Sequence, residues 1–138
     1  MANLVAKESY GVDKHILIAN DSYLVSLPAQ VTNTGLTAGD DGKKILKAGT
    51  PLAGDITKRD TAFKKATTTR GTSGASDTSD ATAILLHDVD VTAGANNATI
   101  VLAGCVDLLK LDTATKALID TATKGALSRI IFVEGSAI

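Results

Sequence analysis

Tryptophan is absent from this 138-residue chain, and aromatic residues make up only 3% of it. A core must therefore be packed from Ala, Thr, Leu, Ile and Val, small or β-branched side chains that suit strands. The single cysteine, Cys105, excludes an intrachain disulfide and gives no sign of an oxidising compartment. It lies in the apolar run "IVLAGCVDLL", where a free thiol behaves as a small buried hydrophobe. No run approaches the ~20 apolar residues of a membrane span. The first residues, "MANLVAKESYG", lack the apolar centre of a signal peptide. The expectation is a soluble protein made in a cytosol, with no membrane partner. A formal net charge of −1 lacks the surplus of Lys and Arg that long nucleic acid requires, so none is expected as a partner.

What is present reads as one domain with an uneven lead-in. Residues 1–43 hold two short strand candidates, "HILIA" (15–19) and "YLVSL" (23–27), before a Thr-, Gly- and Asp-rich stretch. Pro28 demotes the end of the second to an edge strand or a non-strand. By its residues this segment reads equally as an extended N-terminal arm or as part of the core. Residues 44–138 carry the dense apolar pattern of a β-rich domain. In "KILKAGTPLAG", Gly49 allows a positive φ and Pro51 biases Thr50 towards an extended shape. Residues 58–81 are polar and predict a long surface loop. Strand alternation over 83–91 places Leu85, His87, Val89 and Val91 on one face and Ile84, Leu86, Asp88 and Asp90 on the other. "ATIVLAGCVDLLKL" (98–111) is apolar on both faces, with a bend or a break expected at Gly104. The spacing of Leu111, Ala114, Leu118 and Ala122 predicts a single helix in "LDTATKALIDTATKGAL", capped by Asp112 and stopped by Gly125. "SRIIFVEGSAI" closes the chain as a strand. The expected fold is mainly β (α+β), with one helix near the C-terminus. Two strands with two apolar faces and one helix to cover them predict further burial against a neighbouring copy.

Few residues offer chemistry. Asp88 and Asp90, on one strand face with Cβ atoms about 7 Å apart, are the candidate metal ligands. His87 points away from them, and the reading preferred for both is a charged sheet face. No Gly-x-Ser-x-Gly elbow surrounds Ser73, Ser76 or Ser79, and "RGTSGASDTSD" lacks the Lys of a P-loop. No dinucleotide fingerprint occurs, no cofactor is expected, and the chain reads as a non-enzyme. Lys43, Lys44, Lys47, Lys58, Arg59, Lys64, Lys65 and Arg70 cluster in mid-chain, either as a solvated face or as a patch that meets an acidic protein surface.

"KAGTPLAGD" (47–55), "ATAILLHDVDVTAGANNATIVLAGCVDLLKL" (81–111) and the helix followed by "RIIFVEGSAI" resemble the head decoration proteins of tailed bacteriophages. These are the phage-lambda-type capsid cement family and its relatives in phages of Gram-positive hosts. The resemblance covers roughly residues 44–138, with Ala83 where that family usually has Gly. It implies a virion protein on the capsid exterior, made in the host bacterial cytoplasm. Such a protein binds the major capsid protein as a homotrimer and stabilises the expanded shell against internal DNA pressure. It also implies capsid or subunit contacts through the arm and the Gly-Thr-Pro-Leu turn. The candidates are Ile16, Leu17, Ile18, Tyr23, Leu24, Val25, Thr50, Pro51 and Leu52. The alternatives are another virion component, such as a head-fibre base or tail part, and a small ligand- or metal-binding β-barrel.

Overall fold

The apolar run around Gly104 forms a twelve-residue strand, Asn96–Asp107, on which the rest of the chain is assembled. A computed structural model describes Ile16, residues 24–58 and residues 60–134. In chain order the strands are β1 (Val25–Val31), β2 (Ile45–Leu46), β3 (Pro51–Ala53), β4 (Lys64–Lys65), β5 (Thr68–Thr69), β6 (Thr78–Ser79), β7 (Ala83–Leu85), β8 (Val89–Asp90), β9 (Asn96–Asp107) and β10 (Ile130–Val133). A 3-10 turn (Leu108–Lys110) and two short helices, α1 (Thr113–Leu118) and α2 (Thr121–Ala126), lie between β9 and β10. The fold is mainly β.

The main sheet runs β1-β9-β7-β3-β4, with β10 added in parallel to the second half of β9. Its two outer strands meet. The Phe63 N–H donates to Gln30 O at 2.7 Å, and the Thr32 N–H donates to Phe63 O at 2.8 Å. Phe63 immediately precedes β4, so these bonds curl the sheet into a small barrel. Closure of this kind removes the open edges that invite pairing with other chains.

Alternation along the strands sorts the core into two layers. Leu52, Phe63, Ala83, Leu85, Val91 and Ile100 belong to the inner cluster. Ile84, Val101 and Val106 face outwards, under Leu108, Leu111, Ile119, Leu127 and Ile130. The apolar surplus of β9 is thus largely buried within the chain rather than against a neighbour. What stays open is narrower: among the described residues the exposed large apolar side chains are Val25, Ile45, Leu109 and Ile131.

Three expectations are corrected. First, residues 25–31 are no arm: β1 pairs with β9 along its length, and Ala29 and Val31 are buried in the inner cluster. Pro28 is exposed on this outer strand, in keeping with a residue that cannot donate to a ladder. Ile16 is also buried, and its carbonyl accepts from the Asp107 N–H at 2.9 Å. Residues 1–15 and 17–23 lie outside the described residues.

Second, the polar segment 58–81 is folded. Within it β4 joins the main sheet and β5 pairs with β6. The Thr67 N–H donates to Asp80 at 2.7 Å and the Gly71 N–H to Asp77 at 2.9 Å, so carboxylates replace the ladder that two-residue strands cannot supply.

Third, the expected single helix is two. Leu111, Thr115, Ile119, Thr123 and Leu127 are all buried, at a spacing of four. A continuous helix turns about 40° too far at each such step, carrying Leu127 about 160° away from Leu111. The break at Ile119 and Asp120 resets the phase. Asp120 then caps α2 by accepting from the Thr123 N–H at 2.8 Å, while the Thr123 hydroxyl donates to Leu118 O. α2 runs through Gly125 to Ala126. The sequence signal was an eight-residue repeat, "LDTATKA" then "IDTATKG".

Gly49 joins the two layers. Its φ is +91°, and an added Cβ would lie 2.3 Å from Leu111 Cδ2. Its N–H donates to Leu85 O at 2.7 Å. Gly49→Ala is expected to cost about 2–4 kcal/mol, from left-handed strain and overpacking together. Urea denaturation checks this, and a loss below about 1 kcal/mol would show that the turn relaxes.

Candidate functional site

Asp88 and Asp90 do not share a strand face. The strand expected over 83–91 breaks at an exposed bend at His87, and β8 pairs with β2 rather than with β9. Asp88 follows this bend directly. Its Oδ1 accepts from the Ala48 N–H at 2.7 Å, and its Oδ2 lies 3.7 Å from Lys47 Nζ. This carboxylate holds the β2–β3 turn against the β7–β8 bend. Asp90 serves another turn, accepting from the Thr92 N–H at 2.9 Å and its hydroxyl at 2.6 Å. Among the described residues no three His, Cys, Asp or Glu side chains come together as a metal site. The arrangement makes the "HDVD" cluster a pair of turn clamps.

The hydroxyl and the N–H of Thr92 hold the Asp90 carboxyl below its usual pKa. Thr57 does the same for Asp55, and the Thr123 N–H for Asp120. A lowered folded-state pKa contributes stability above the unfolded value near 3.8, and that stability is lost as pH falls through the folded value. The melting temperature is therefore expected to fall as pH drops below about 4. A variant with Asn at positions 55, 90 and 120 should start lower at neutral pH and fall less steeply. An equally steep acid limb in the variant would assign the acid sensitivity to other groups.

The contact candidates separate sharply. Thr50, in the β2–β3 turn, and Pro51 and Leu52, on β3, are buried and offer no surface. The Thr50 hydroxyl donates to Lys47 O at 2.6 Å, so its polarity is used within the turn. Ile16 is buried and Leu24 is half-buried. Leu17, Ile18 and Tyr23 lie outside the described residues. Val25 alone of the described candidates is well exposed, at 49%.

Val25 belongs to a surface that the pattern of the sequence did not single out. It pairs with Ala103, and Ile131, 53% exposed, pairs with Cys105. Residues 103 and 105 are two apart on β9 and point to one side. Val25, Ala103, Cys105 and Ile131 thus form an apolar stripe across three strands, with Ala103 and Cys105 half-buried. The Asp107–Ile16 bond lies two residues further along β9, so Ile16 meets the sheet beside the stripe. Only the register of β10 against β9, a pairing between distant parts of the chain, brings Ile131 to this place.

A second surface is a groove of about 310 Å³ between β2, β4 and α1. Leu36, Ile45, Ala114 and Leu118 line it, with Lys47 and Lys65. No helix among the described residues is long and apolar enough to cross a membrane. No protein-family model matches the chain, and no curated protein matches it.

Proposed function

We propose that this protein is a capsid decoration protein, which binds the outside of an expanded phage shell and stabilises it against the pressure of packaged DNA. The observation that carries this reading is that the segments resembling that family form one connected unit. The turn in 47–55 bonds to β7, through Gly49 N–H to Leu85 O and Leu85 N–H to Thr50 O. β7 pairs with β9, Ile84 opposite Val101, Gly49 packs on Leu111 at the end of the second segment, and β10 of the third segment pairs with β9. Pieces separated in sequence thus support one another as parts of a single structural element. No reaction and no cofactor are proposed.

In this reading the apolar stripe is the contact with the major capsid protein. Each such contact is small. Several copies engaged at once on a lattice make release slow even when each contact is weak. A homotrimer on the capsid belongs to the proposal and rests on the family resemblance.

Co-sedimentation with emptied, expanded capsids of the encoding phage tests the reading, and failure to bind them would overturn it. Ile131→Asp is expected to weaken binding about tenfold or more, because it desolvates a charge against an apolar partner. Its melting temperature should stay close to that of the parent, since Ile131 is exposed. Cys105 should also lose reactivity towards a maleimide when the protein is bound. Full binding by the variant would move the contact elsewhere.

A further inference from the structure

We propose that the groove between β2, β4 and α1 receives a short acidic, apolar segment of a protein partner. A carboxylate would sit on Lys65, and an aliphatic side chain on the floor made by Leu36, Ile45 and Leu118. The groove's chemistry points to that occupant. Its lining includes two lysines and no Asp or Glu. Lys47 reaches Asp88 only at 3.7 Å and keeps 46% of its side chain exposed. Lys65 is half-buried beside apolar side chains, with no carboxylate within salt-bridge distance among the described residues. An ammonium partly removed from water attracts a carboxylate more strongly than a fully solvated one does. Ile45, 37% exposed beside it, offers apolar surface to the same ligand.

β2 and β4, two of the groove's three sides, are anchored to the rest of the fold by other bonds. The Lys44 N–H donates to the Thr92 hydroxyl at 2.8 Å, and the Val91 N–H to Lys44 O at 2.9 Å. β4 pairs with β3 through Leu52 and Lys65. The lysine side chains are therefore not needed to keep the groove in shape. A volume of about 310 Å³ accommodates one or two residues of a partner. Such a contact is weak alone and effective in many copies, so the inference deepens the capsid reading and rests on it for the identity of the partner.

The test is a titration of the full chain, followed by amide NMR shifts, with the N-acetylated, C-amidated tripeptide Glu-Leu-Glu. Shifts are expected at Leu36, Ile45, Lys65 and Ala114. The Gln-Leu-Gln peptide should bind about fivefold more weakly, the loss of one exposed charge pair. Lys65→Gln should cause a similar loss, whereas Lys64→Gln, a change on the neighbouring exposed residue, should not. Absent or scattered shifts would overturn the proposal, as would equal binding of the neutral peptide. The same shifts with inorganic phosphate would reduce the groove to a general anion site and overturn it too. Because no capsid is present, this titration can fail while co-sedimentation succeeds, or the reverse, and the two readings are judged separately.

Discussion

Phe63→Ala is expected to remove about 3–5 kcal/mol of folding stability. Phe63 is the largest fully buried side chain among the described residues, and it sits where the barrel closes. Its ring lies against the backbone of Gly54, where an added Cβ would come within 2.5 Å of Cδ2. Truncation would leave a cavity among Val31, Leu52 and Leu85, residues of the same inner cluster. A rigid sheet on every side cannot collapse to fill it. A domain of this size has about 5–15 kcal/mol in total, so the variant should be close to unfolding at 37 °C. Phe63→Leu keeps much of the volume and should lose well under half as much. Urea denaturation followed by circular dichroism measures both. A loss below about 1 kcal/mol in the Ala variant would mean that the inner cluster repacks around the smaller side chain.

A chain beginning at Thr32 is expected not to fold. Without β1, the partner of β9 along Asn96–Ala103 is gone, and Ile100 and Phe63 lose Ala29 and Val31 as neighbours. Burying Val31 alone contributes about 1.5–3 kcal/mol. The carbonyl of Gln30 and the N–H of Thr32 also hold Phe63 in place, and the first of these is lost outright. A chain beginning at Leu24 should still fold cooperatively. It should melt at a lower temperature than the parent, because it lacks Ile16, fully buried in the outer layer. Circular dichroism and thermal melts separate the two truncations. A folded chain from Thr32 would restore the view that the whole lead-in is an arm and would contradict the closure of the sheet.

Some of this was open to reading along the chain, because it depends on neighbours in sequence. The aliphatic composition and the alternation in 83–91 correctly assigned Leu85 and Val91 to one layer and Ile84 to the other. Gly49 takes the positive φ expected of it, and Asp112 stands at a helix N-cap. The helix pair was also within reach, through the eight-residue repeat. It was obscured because Leu111, Ala114 and Leu118 satisfy a helical spacing across one repeat, while the buried set is defined by both.

The sequence by itself determined the β-rich class, the long central strand and its two apolar faces, since period-two burial is a local property of the chain. Only the tertiary structure decided where the sheet closes, where the 83–91 strand breaks and what the aspartates do. Strands of two residues have no periodicity to detect, and their positions are held by bonds between distant residues: Ala48 to Asp88, Lys44 to Thr92, Phe63 to Gln30. The exposed stripe was hidden for the same reason. Val25 and Ile131 become neighbours only through the register that each strand adopts against β9, and register is set by pairing partners across the fold.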